Sequence, residues 1–143
     1  MAAAARTLLD YHGIHGVSEA ELRRILKTKP RGTHIFNLVY LKDEKQWNLD
    51  VEVYEGTPNE LFAKVSIARI PVIVFVDTAP LPHWDESMPH VVVVVGYDEE
   101  SVIINDPFFN EEERRIPIEQ FLRAWELNEN YMIVIKKKKD KPA

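Results

Sequence analysis

The chain has no cysteine. Disulfides and thiolate metal sites are therefore excluded, and so is a cysteine nucleophile among the residues present. Glycine is sparse, at 5 of 143 residues, and neither a Gly-rich phosphate loop nor a flexible Gly/Ser linker can be found. There is no internal repeat. No apolar run approaches the roughly 18 residues a membrane-spanning helix needs. The first residues, Met1-Ala2-Ala3-Ala4-Ala5-Arg6, lack the basic and apolar regions of a secretion signal, so a cytoplasmic location is expected. Basic residues are outnumbered: 18 Lys and Arg against 23 Asp and Glu give a net charge of −5. That balance argues against nucleic acid as a partner, because neutralising phosphates takes a basic face.

What is present is the composition of a globular domain. Hydrophobic residues at 45% and charged residues at 29% exclude a disordered chain. A chain of 143 residues can bury a core of its own. A single domain is expected over residues 1–135, followed by a Lys-rich tail over 136–143 that reads as a solvated terminus.

The first half reads as helical. Ala2 to Tyr11 is rich in Ala and Leu, with Gly13 as its stop. Ser18 and Glu21 have capping-box spacing and start a helix expected to reach Thr28, before Pro30. A third helical segment is expected from Gly32 to Leu41. Trp47, Leu49, Val51 and Val53 alternate with polar residues, the mark of a half-buried strand. Thr57-Pro58-Asn59-Glu60 is a second capping box with proline at its favoured first position, for a helix reaching about Ala68.

The second half reads mostly as strand. Val72–Val76 and Val91–Val95 are the continuous β-branched runs of strands buried on both faces. Val102–Ile104 follows the acidic turn Asp98-Glu99-Glu100, which makes a hairpin. A short helix over Ile118–Trp125 and a strand over Tyr131–Ile135 complete an α+β domain.

Two residues flank that hairpin with chemistry to offer. His90 begins one strand and Asp106, before Pro107, ends the other. If Asp98 to Glu100 is a three-residue turn, Tyr97 pairs with Ser101 and Asp106 lies opposite Val92. His90 is then a diagonal neighbour on the same face, within reach of an imidazole–carboxylate hydrogen bond. A turn of the other parity would put the two side chains on opposite faces. A histidine oriented by a carboxylate is the base half of a nucleophilic triad; a hydrogen-bonded histidine beside a strand-ending turn is the plainer alternative.

The tract from His90 to Tyr97, then Asp106-Pro107, then the helix Ile118–Trp125, resembles the C39-like cysteine peptidases. These are papain-fold domains best known from bacteriocin-exporting ABC transporters. The resemblance extends to Ala2–Gly13 and Val17–Leu22 and covers nearly the whole chain. It implies a papain-like cysteine peptidase fold, with N-terminal helices packed on an antiparallel sheet. It also implies a peptide substrate, such as a leader segment cut after small residues, an association with a transporter, and no metal or organic cofactor. His90 would be the general base and Asp106 its orienting residue. The family's cysteine would fall at or just before Met1, with its oxyanion-stabilising glutamine further upstream. Truncation, natural loss and replacement of that cysteine all fit, and Ser18 is no substitute because it caps a helix. A papain-fold module that binds peptides without cutting them is the alternative function.

The loop Thr78–Pro89 holds Pro80, Pro82 and Pro89 and should be stiff. It carries His83 and Trp84; Trp84 reads as a lid over the sheet or, with His83 and Phe108, as a groove wall for an extended peptide. Trp47 and Trp125 read as core. His12 and His15 have a ligand-like spacing, but Gly13 breaks the helix between them and no further ligands follow. His34 reads as a capping or solvated residue, and Glu111-Glu112-Glu113 before Arg114-Arg115 as a solvated loop.

Overall fold

A computed structural model of the chain describes residues 1–30, 32–109 and 113–138. They fall into two compact units, one of Met1–Val53 with the chain from Val134 onward, the other of Tyr54–Ile133.

In the first unit, helix α1 (Ala2–Tyr11) buries Ala2, Ala4, Ala5, Leu8 and Leu9, a stripe at helical spacing. It stops as expected at Gly13, whose φ of +80° lets the Gly13 and Ile14 N–H groups donate to the Asp10 and Leu9 carbonyls at 3.0 and 2.9 Å. Helix α2 (Glu19–Ile25) starts where expected, with Ser18 Oγ accepting the Glu21 N–H at 3.1 Å. It ends short of Thr28 because Lys27 adopts a left-handed φ of 54° and the Thr28 N–H turns back to the Arg23 carbonyl at 2.9 Å. The third segment is a 3-10 helix, Ile35–Asp43, capped by His34 Nδ1 accepting the Phe36 N–H at 3.3 Å.

Trp47 is buried as expected, but it sits in a 3-10 turn (Lys45–Trp47) rather than in the strand. Left-handed Asn48 (φ 51°) separates it from β1, Leu49–Glu55. His12 Nε2 pairs with the Ile135 carbonyl at 2.7 Å and His15 Nδ1 with Asp10 at 3.1 Å, so the two rings have different partners.

The second unit starts with α3 (Pro58–Ser66), where Thr57 Oγ1 accepts the Glu60 N–H at 3.2 Å. The strands β2 (Val72–Asp77), β3 (Pro89–Tyr97), β4 (Ser101–Asn105) and β5 (Glu113–Pro117) follow, then α4 (Ile118–Glu126) and β6 (Tyr131–Lys137). The sheet has six strands in the order β1-β6-β2-β3-β4-β5. β3 lies antiparallel between β2 and β4, β5 pairs antiparallel with β4, and β6 with β2. α3 packs on β2 and β3, and α4 on β2, β4 and β5. Val72, Ile73, Val74 and Val91 to Val94 are buried, as continuous apolar strands require. Trp125 is fully buried and its indole N–H donates to the Tyr131 carbonyl at 2.9 Å.

Three expectations need correction. Glu113, Arg114 and Arg115 open the strand β5 instead of forming a loop; Glu111 and Glu112 lie outside the described residues. Only Ile116 of that strand is buried, so a charge-rich edge strand masked its own periodicity. The last strand continues through Lys136 and Lys137, and the Lys138 N–H donates to the Asn48 carbonyl at 2.8 Å. Lys139 to Ala143 lie outside the described residues. The third correction concerns the β3–β4 turn, where Tyr97 faces Val102 and not Ser101. Asp98 accepts the N–H groups of Glu100 and Ser101 at 2.9 and 2.8 Å, which lengthens the turn by one residue.

That register alone would send His90 and Asp106 to opposite faces. A bulge at Val95 cancels it. Gly96 faces Ile103, but Val94 faces Ile104 and Val93 faces Asn105. One extra residue on β3 thus restores the parity that the shorter turn would have produced.

Candidate active site

The β2–β3 loop, residues 78–88, is held by its own polar groups. The Thr78 N–H donates to the Met88 carbonyl, and the Met88 N–H returns to Thr78 Oγ1, both at 3.0 Å. The Thr78 hydroxyl donates to the Glu86 carbonyl. Asp77 Oδ1 accepts the Ala79 N–H and the Ser87 hydroxyl, each at 2.9 Å. Leu81 is buried as the loop's anchor, and successive turns join Leu81 to Thr78 and Trp84 to Leu81. Such a closed loop has little freedom left, and it ends by presenting His83 and Trp84.

Both side chains point to the same acceptor. Asp106 is buried at the end of β4, with its side chain fully shielded from solvent. Its Oδ1 accepts from His90 Nε2 at 2.7 Å and from the Phe108 N–H at 3.1 Å. Its Oδ2 accepts from His83 Nε2 and from Trp84 Nε1, each at 2.8 Å. Burial by itself pushes this carboxyl upward. The hydrogen bonds from His90, Trp84 and His83, with the charge of His90, outweigh burial and hold it well below the usual carboxylate range. An ionised carboxylate only accepts, so both histidines carry a proton on Nε2. For His90 this leaves Nδ1 as the basic nitrogen, on a side chain that keeps 17% of its exposure.

Aromatic rings enclose the cluster. Trp84 lies 4.9 Å from the His90 ring between centroids and 5.1 Å from Phe108. Phe109 packs edge-on against His83 at 5.0 Å and Trp84 at 5.2 Å, and the Arg114 guanidinium lies over the Phe109 ring, 5.0 Å from its centroid. Phe108 is 70% exposed. All five residues singled out in the sequence, His83, Trp84, His90, Asp106 and Phe108, therefore meet in one cluster. Within it His83 is nearly buried, and Trp84 donates its indole N–H to the carboxylate. The Phe108 amide and the Phe109 ring were missed. An aspartate accepting an N–H two residues on is a readable turn signal, so the first of these was within reach of the sequence.

A histidine whose Nε2 is held by a buried carboxylate and whose Nδ1 is bare is equipped to take a proton. The model of the peptidase C39 family matches residues 1–140. The chain belongs to the peptidase C39 family. Solved structures share its fold. A protein of Bacillus anthracis described as a C39-like peptidase superposes with a TM-score of 0.75 at 20% identity, covering 97% of this chain and 88% of that one. The peptidase domain of Streptococcus ComA, a bifunctional ABC transporter of a quorum-sensing pathway, gives 0.70 at 22% identity, covering 96% and 88%. A double-glycine-motif protease from an AMS/PCAT transporter, solved with its leader peptide, gives 0.70 at 22%, covering 96% and 83%. No curated protein sequence matches the chain. This C39 chain has the mixed helix and antiparallel-sheet architecture of those papain-like domains, and it contains no cysteine. Among its described residues no helix is long and apolar enough to cross a membrane.

Proposed function

We propose that the chain forms a single C39 peptidase domain, continuing through Lys137 at the end of β6, whose His90 and Asp106 are the base half of a cysteine peptidase site. The observation that carries this reading is the 2.7 Å bond from His90 Nε2 to the buried, ionised Asp106. In the proposed reaction His90 Nδ1 takes the thiol proton of a cysteine that these residues do not supply. The thiolate adds to the substrate's carbonyl carbon, and His90 then gives the proton to the leaving amine as the C–N bond breaks. Water, deprotonated by the same nitrogen, adds to the thioester carbonyl; the C–S bond then breaks, releasing the acid and returning the sulfur as thiolate beside the protonated His90. Asp106 fixes the tautomer and stabilises the imidazolium. No metal or organic cofactor enters these steps. Phe108 and Trp84 offer apolar wall to an extended peptide, and a leader-type peptide presented by a transporter in the cytoplasm is the proposed partner. The related transporter domain solved with its leader peptide supports that substrate class.

The lack of any cysteine favours a second reading, in which the domain binds such peptides without cutting them. A Met1→Cys variant and a version extended by Gln- and Cys-containing residues before Met1 test both. Under the first reading one of them alkylates faster than a free thiol and cleaves a double-glycine peptide, and His90→Ala abolishes both effects. An inert thiol alongside tight binding of the same peptide would establish the second reading. An inert thiol with no peptide binding would sink both.

A further inference from the structure

His90 owes its tautomer to Asp106, and Asp106 has a rotation to settle: the torsion that decides where its two oxygens point. Four donors settle it. The Phe108 amide and His90 share Oδ1, and on Oδ2 the only donors among the described residues are His83 and Trp84, which reach it from the β2–β3 loop, 23 and 22 residues back along the chain. His83 is well suited to that task and to little else. Its side chain is 10% exposed, and its Nδ1 is buried with no partner among the described residues. A proton on that nitrogen would be an unsatisfied buried donor, so the ring's proton sits on Nε2, aimed at the carboxylate. Trp84 can only donate through Nε1.

We infer that His83 and Trp84 are positioning residues, which clamp Asp106 through Oδ2 so that Oδ1 holds His90 as its Nε2–H tautomer with Nδ1 bare. The inference rests on the reading of His90 and Asp106 as a functional dyad, and it makes the 78–88 loop part of the site's machinery, not a lid over it. The role differs from substrate contact: neither residue need touch a peptide. Thr78, buried among the loop's own hydrogen bonds, is what keeps the two donors on target.

The test reads the His90 ring nitrogens by long-range 1H–15N NMR at about pH 8, above the ordinary imidazole range. The unaltered chain should show one protonated-type nitrogen, Nε2, and one bare nitrogen, Nδ1. In Trp84→Phe, which keeps a ring and removes the N–H, the two signals should move toward each other as the tautomers mix. His83→Phe should do the same, and His83→Gln, whose amide can replace Nε2–H, should restore the original pattern. If both phenylalanine variants keep the pure Nε2–H pattern while Asp106→Ala mixes it, the dyad stands and the loop is only structural. If Asp106→Ala leaves the pattern unchanged, the dyad and the clamp both fall. Should His83→Phe lose its folded spectrum, Trp84→Phe and His83→Gln still decide.

Discussion

Asp106→Asn is nearly isosteric, yet the site should reject it. An amide offers one acceptor and one NH2. With its NH2 in the place of Oδ2 it faces the Trp84 indole N–H, now 2.8 Å from the oxygen. With its NH2 in the place of Oδ1 it faces the Phe108 backbone N–H, now at 3.1 Å. Neither donor can reverse its role. Either rotamer therefore loses at least one hydrogen bond to a charged acceptor, worth about 1.5–3 kcal/mol, and leaves a buried N–H unpaired at about 1–3 kcal/mol more. Relief from burying a charge offsets part of this. The net loss should be about 2–4 kcal/mol, which lowers the melting temperature by roughly 6–12 °C in a chain of this size. Urea unfolding followed by tryptophan fluorescence measures it, with Asp85→Asn, an exposed aspartate in the neighbouring loop, as the control expected within about 0.5 kcal/mol of the parent. If Asp106→Asn proves as mild as Asp85→Asn, the four-donor description of the site is wrong.

The same carboxylate sets a pH signature. Its folded value lies below the unfolded one, so its contribution is complete above the unfolded range near ~3.9 and is lost as pH falls below it. The stability gap between the parent and Asp106→Asn should be wide at pH 6 and close below about pH 4; a gap that widens in acid would reverse the argument. Gly56→Ala should destabilise by about 1–3 kcal/mol through overpacking. Its Cβ would meet Met132 Sδ at 2.1 Å and Cγ at 3.0 Å. In a Met132→Ala background the penalty should shrink, and a penalty equal in both backgrounds would place the cause elsewhere. Ser18→Ala and Thr57→Ala each remove a capping oxygen and should cost about 1 kcal/mol in chemical denaturation, with the corresponding glycine variants milder than alanine.

Much of the architecture was legible because it is local. The capping residues Ser18 and Thr57, the stop at Gly13 and the valine runs act within a turn or a strand, where neighbouring residues carry the physics. Short-range exceptions had local causes too: left-handed Lys27 shortened α2, and left-handed Asn48 kept Trp47 out of β1. β5 escaped notice because an edge strand needs only one buried residue, Ile116, and may be charged elsewhere.

The sequence by itself determined which residues could do chemistry and that His90 and Asp106 flank one hairpin. It could not determine that they share a face. Side-chain direction alternates at every residue, so the outcome turned on the parity of the register, and two unforeseen features, a longer turn at Asp98 and a bulge at Val95, cancelled. Nor could it bring His83 and Trp84 to the far oxygen of Asp106, a contact made across more than twenty residues by a loop whose path depends on Thr78 and Leu81 being buried together. Periodicity reports which way a side chain faces its own strand; only the assembled sheet, with its bulge and its pinned loop, decides which donors surround a buried charge.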